Sequence, residues 1–128
     1  MIYLDTSVLL AYLFAEDRFP PDDFWRQPLV SSRLIEYEVW NRVHARRANG
    51  THGEAARALL ARIGILELAP AVLERALEPF PKPVRTLDAL HLASAHFLRE
   101  RDATLSVATY DKQLSVAARA INLAVVAP

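Results

Sequence analysis

Apolar positions come in short blocks along the chain, and the spacing inside each block decides which element it suits. Residues 1–4 (MIYL) form a mostly apolar run fit for a short buried strand, and residues 7–15 suit a helix buried on most of its face. The stretch RFPPDDFWRQP reads as a loop, since Pro20 and Pro21 cannot continue a helix and Pro28 closes it. LVSS (29–32) is a second strand, with Ser31 or Ser32 able to cap the helix expected from 33 to 48. Asn49-Gly50 is a suitable helix stop, and Thr51 with Glu54 fits a capping box opening the next helix.

The remaining pattern continues the alternation. ILEL (65–68) reads as a strand, Pro70 to Leu77 as a short helix, and EPFPKPV as a stiff linker with three prolines. Residues 86–101 suit a helix, TLSVAT a strand, 112–121 a helix and LAVV a last strand. Strands that alternate with helices predict a parallel or mostly parallel sheet covered on both faces, and residues 1–128 read as one α/β domain without internal repeats.

Composition narrows the chemistry. With 128 residues and 52% hydrophobic content the chain can bury a real core. The absence of cysteine excludes disulfides, thiolate metal sites and cysteine nucleophiles, and suits a reducing cytoplasm. The longest apolar run, residues 8–15, is far short of the ~20 residues of a membrane span, so a soluble, cytoplasmic protein is expected. Fifteen basic and fifteen acidic residues cancel, which leaves any nucleic-acid binding to a local basic patch.

The carboxylates fall in a pattern. Asp5 ends the first strand, Asp111 lies just past another, Asp88 sits in the first turn of a helix, and Glu36 and Glu38 open a further one. Each could be a helix cap or a first-turn acid answering the helix dipole. Taken together they converge on the carboxyl edge of a parallel sheet, where ligands bind. Carboxylates gathered there repel one another unless a hard cation such as Mg²⁺ or Mn²⁺ neutralises them. His44, His52, His91 and His96 lack zinc-site spacing and are assigned to surface or packing roles. Ser7 has no G-x-S-x-G context, and no glycine-rich phosphate loop is present.

Four segments, YLDTSVLLAYL, SSRLIEYEVW, TLDALHLASA and VATYDKQLSVAARAINLAVVAP, resemble the motifs of PIN-domain ribonucleases, specifically the VapC toxins of bacterial toxin–antitoxin pairs. The resemblance spans nearly the whole chain. It implies a three-layer α/β/α sandwich and an acidic quartet of Asp5, Glu38, Asp88 and Asp111, serving both as catalytic residues and as ligands of Mg²⁺ or Mn²⁺. Thr6 and Thr109 match its hydroxyl neighbours. Helical phase leaves Glu36 and Glu38 as alternatives; the family register Ser32, Leu34, Glu38 selects Glu38.

The implied activity is metal-dependent hydrolysis of RNA. Arg42, Arg46, Arg47, Arg85 and Lys112 are the candidate RNA contacts. The implied partners are a cognate VapB-type antitoxin, with Phe14, Tyr37 and Trp40 as candidate contacts, and a second copy of the chain in a homodimer. Competing readings are a catalytically silent binding module of the same fold, and a phosphatase using Asp5 as nucleophile. The latter would want a second Asp at position 7, which is Ser.

Overall fold

The computed structural model describes residues 1–128. Its strands are β1 (Ile2–Leu4), β2 (Leu29–Ser32), β3 (Ile63–Leu66), β4 (Ser106–Ala108) and β5 (Ala124–Val126). Its helices are α1 (Thr6–Leu13), α2 (Leu34–Ala45), α3 (Asn49–Leu60), α4 (Pro70–Leu77), α5 (Thr86–Arg99) and α6 (Lys112–Ala120). Every strand pair is parallel and the order is β3-β2-β1-β4-β5. No helix is long and apolar enough to cross a membrane.

Alternation within the strands divides the core in two. Leu4, Leu29, Ile63 and Ala108 pack with α1, α2 and α3 on one face. Tyr3, Val30 and Val107 point the other way and pack with α5 and α6. Neighbouring residues of a strand face opposite sides, so a strand buried on both faces is apolar except where a polar side chain finds a partner, as the buried Ser31 of β2 does by donating to the Leu4 carbonyl. The chain runs outward from β1 to β3, returns to β1's other side as β4, and runs outward again to β5. The order therefore reverses between β1 and β4, and a crevice opens at their carboxyl ends.

Three local expectations are overturned. The first is the stop at Asn49-Gly50: α2 ends at Ala45, and Asn49 and Gly50 form the first turn of α3. The chain reverses instead at Arg47, which has φ 52°. The Arg47 amide donates to the His44 carbonyl and the Ala48 amide to that of Val43, a Schellman closure. Ala48 and Val43 both lie in the core, and this apolar contact holds an arginine where glycine is usual. The same closure ends α1 at Ala15 (φ 46°) and α6 at Asn122 (φ 63°).

The second is the Thr51–Glu54 capping box. Thr51 lies inside α3, and its hydroxyl donates to the Ala48 carbonyl. Third, the proline-rich loop contains a 3₁₀ turn at Asp22–Arg26 that buries Phe24 and Trp25 in the core, because both rings find apolar room beside α1 and α3. The third strand starts at Ile63, two residues earlier than expected. Ser32 does bond the start of α2, accepting from the Leu34 amide at 2.9 Å.

Candidate functional site

A cleft of about 630 Å³ lies over the carboxyl ends of β1 and β4, and Asp5, Glu38, Asp88 and Asp111 all line it. They arrive from four elements: the end of β1, the second turn of α2, the first turn of α5 and the start of α6. Asp5 stands at the N-cap position of α1 with extended backbone but makes no capping bond. Its carboxylate is buried, and Oδ2 accepts from the Ser7 hydroxyl at 2.5 Å and the Thr109 hydroxyl at 2.8 Å. Each hydroxyl in turn accepts a backbone amide, Ser7 from Tyr110 at 3.1 Å and Thr109 from Asp111 at 3.0 Å. Two short side chains thus tie the ends of β1 and β4 to one carboxylate.

Glu38 accepts through Oε1 from the Thr6 hydroxyl at 2.9 Å and from His91 Nε2 at 2.5 Å. Glu36 does not reach the cleft; it pairs with Arg33 at 2.9 Å, and Arg33 also bonds Glu67. Asp111 does cap its helix, with Oδ1 accepting from the Gln113 amide at 2.8 Å and the Leu114 amide at 3.1 Å. The alternative role of helix cap is therefore filled by Asp111, alongside its place in the cleft, and not by Asp5.

Asp88 makes no hydrogen bond. Burial raises its pKa above the ordinary carboxylate value, and the negative charges of Asp111, Asp5 and Glu38 raise it further against a lowering by His91. The repulsion follows from gathering several carboxylates in one cleft. Asp5, Glu38 and Asp111 each commit one oxygen to internal bonds and keep the other free, while both oxygens of Asp88 are free. This set of hard oxygen donors fits a cation such as Mg²⁺. No three acids or histidines stand close enough together in this structure to form a metal-holding group by themselves.

Two side chains escaped the sequence reading. Ser7, dismissed as a nucleophile, is an Asp5 partner. His91, assigned to packing, is buried between Tyr3 and Glu38, with its Nδ1 at 2.7 Å from the Tyr3 hydroxyl. Burial lowers its pKa, but the Glu38 bond and the charges of Glu38, Asp5 and Asp88 outweigh that and raise it. The available signal was its place three residues after Asp88, on the same helix face.

Among the expected RNA contacts, Arg42 and Arg85 line the acidic cleft. Arg42 and Arg46 also line an adjoining cleft with Arg18, Tyr110 and Asp111. Arg47 lies in the α2–α3 turn, and Lys112 is exposed at the start of α6. The expected partner contacts are held by different neighbours. Phe14 is half-buried under Arg46 and beside His52. Trp40 packs on Gly53 with Arg57 over its ring. Tyr37 alone is open to solvent, 70% exposed.

The PIN domain model matches residues 2–120. Ribonuclease VapC35 of Mycobacterium tuberculosis is 34% identical over 100% of this chain and 97% of its own length. Ribonuclease VapC46 of the same species is 36% identical over 99% and 97%. A toxin–antitoxin complex from Klebsiella pneumoniae shares the fold with a TM-score of 0.68 at 18% identity, covering 100% of this chain and 98% of its own. Mycobacterium tuberculosis VapC20, a sarcin–ricin loop cleaving toxin, does so at 0.63 and 18%, covering 91% and 95%.

Proposed function

The chain belongs to the PIN-domain family and, within it, to the VapC ribonucleases, and from that premise we propose that it is a metal-dependent endoribonuclease, the toxin of a toxin–antitoxin pair, with residues 1–128 acting as one PIN domain. The observation that carries this reading is that carboxylates from four separate elements share one cleft and each keeps an oxygen free. A bound Mg²⁺, or Mn²⁺ in its place, would supply Lewis acidity, making water a better nucleophile at neutral pH and offsetting charge on the attacked phosphodiester.

The residues divide the remaining work. Asp5, Glu38 and Asp88 hold the ion directly or through water. Asp111 orients the attacking water with the oxygen its own helix leaves free. Thr6 and Thr109 fix the orientation of Glu38 and Asp5 by donating to one oxygen of each. Arg42 and Arg85, at the rim of the cleft, take the flanking phosphates, and Arg46 extends that path. Phosphatase chemistry at Asp5 is disfavoured, because position 7 offers a hydroxyl already committed to Asp5 and the Tyr110 amide rather than a general acid.

A cognate VapB-type antitoxin would silence the toxin by bringing a basic side chain to the carboxylates, with a toxin homodimer inside the complex. Tyr37 is the cleanest probe of the contact, since Trp40→Ala would also empty packing against α3. Co-expression with the product of the adjacent upstream gene, then Tyr37→Ala, measures it; unchanged antitoxin affinity would remove Tyr37 from the interface. The activity is tested with antitoxin-free protein and RNA. EDTA should abolish cleavage, and Mg²⁺ or Mn²⁺ should restore it. Cleavage that persists in EDTA would sink the metal-dependent reading, and protein that binds antitoxin yet cuts no RNA would be the silent module.

A further inference from the structure

Between the two core clusters runs a line of hydrogen bonds that no carboxylate chemistry by itself requires. The Ser32 amide donates to the Tyr3 oxygen at 3.2 Å, the Tyr3 hydroxyl lies 2.7 Å from His91 Nδ1, and His91 Nε2 lies 2.5 Å from Glu38 Oε1. Tyr3 and His91 are both 1% exposed. Buried polar groups cost stability unless their partners are in place, so neither side chain can turn away cheaply. A carboxylate only accepts, so the proton between His91 and Glu38 belongs to Nε2. A Tyr3 O–H donating to Nδ1 requires that same tautomer.

We infer that His91 is a positioning residue for Glu38: its Nε2–H holds Oε1 back toward the core, Tyr3 fixes the imidazole, and Oε2 is left turned to the cleft. This rests on reading Glu38 as an ion-holding carboxylate. Without the histidine, only the Thr6 hydroxyl restrains Glu38, a carboxylate on a flexible stem that could swing away from Asp5 and Asp88. Partners that orient a ligand carboxylate typically matter by about 10–100-fold in metal affinity or activity. The chain spans β1, α5 and α2, so the sheet itself sets the placement of the glutamate.

The test compares His91→Leu, His91→Gln and Tyr3→Phe with wild type, each checked for cooperative thermal unfolding. Three quantities are read: Mn²⁺ affinity by calorimetry, kcat and KM for RNA cleavage at saturating Mg²⁺, and the imidazole ¹⁵N spectrum. His91→Leu should weaken Mn²⁺ binding and lower kcat by roughly 10–100-fold with KM little changed. His91→Gln, whose amide can donate from nearly the Nε2 position, should recover most of the loss. Wild type should show a slowly exchanging Nε2–H, and Tyr3→Phe should shift the Nδ1 signal.

A folded His91→Leu with wild-type Mn²⁺ affinity and kcat overturns the assignment, as does a folded His91→Gln no better than His91→Leu. Should wild type neither bind Mn²⁺ nor cut RNA, the nuclease reading fails instead. The imidazole spectrum still decides the His91 contact in that case, because an Nε2 without a protected proton excludes it.

Discussion

The two walls of the cleft are built on opposite plans. On the wall from β1 and α2, Asp5 and Glu38 are held mainly by side chains from distant parts of the sequence, Thr109, Thr6 and His91, with the neighbouring Ser7 as Asp5's one local partner. On the wall from α5 and α6, Asp111 is held by the amides of its own helix and Asp88 by nothing. The first wall is preorganised by tertiary contacts, so its geometry is as rigid as the core behind it. The second depends on local helix geometry, and at Asp88 it feels the charge of the neighbouring carboxylates. A carboxylate fixed by the core and one fixed by its own helix should respond differently to the same substitution.

The largest effect is expected at Asp5. Asp5→Asn keeps shape and removes charge at the position where β1, α1 and β4 meet, and cleavage should fall beyond the roughly 100-fold that supporting residues cost. Because Asp5 makes no capping bond, the thermal midpoint should move little; full Mg²⁺-dependent activity in the variant would dismiss the site. Next comes the pair of glutamates. Glu38→Gln should lower the rate by orders of magnitude, whereas Glu36→Gln removes only a solvent-exposed pair with Arg33 and should change the rate little. Equal or reversed losses in cleavage assays would show that the wall is built on the wrong turn of α2.

Asp111 separates the plans within one residue. Asp111→Ala should cost about 1 kcal/mol of stability through the lost cap as well as activity, while Asp111→Asn keeps the cap and loses activity alone. Denaturant titration alongside cleavage distinguishes the two, and equal stability of both variants would contradict the capping geometry.

The smallest effect concerns Asp88 in metal-free protein. A carboxyl whose pKa is raised on folding is disfavoured in its charged form. Its penalty is therefore absent below the ordinary carboxylate range and complete once pH exceeds the raised value. Asp88→Asn should accordingly raise the thermal midpoint at pH 7, with no gain at pH 3. A gain of the same size at both pH values would point to packing rather than charge.

Much of this was legible along the chain. Apolar blocks of strand and helix spacing, with acids at their junctions, are local facts, and in a parallel sheet every strand end of one sense meets the same edge. That geometry alone draws Asp5, Asp88 and Asp111 together, and the helix Pro70–Leu77 has the bounds its proline and apolar spacing predict. The stop after α2 was misread because glycine at position 50 outweighs arginine at 47 in local preference. The contact of Ala48 with Val43, visible only in the packed core, reverses that ranking.

Other features belonged to the tertiary structure alone. Glu36 and Glu38 stand on different sides of one helix, and nothing within α2 tells which side meets β1 and α5; the packing of Val39 and Val43 into the core turns Glu38 toward His91. His91 and Glu38 are 53 residues apart, and Tyr3 is 88 residues from His91. The sequence by itself determined most of the elements, the parallel character of the sheet and the acids at one edge, since backbone preference and burial act between near neighbours. Which oxygen each acid keeps free, and which side chain holds the other, was decided only when remote strands and helices closed around buried polar groups that must find partners.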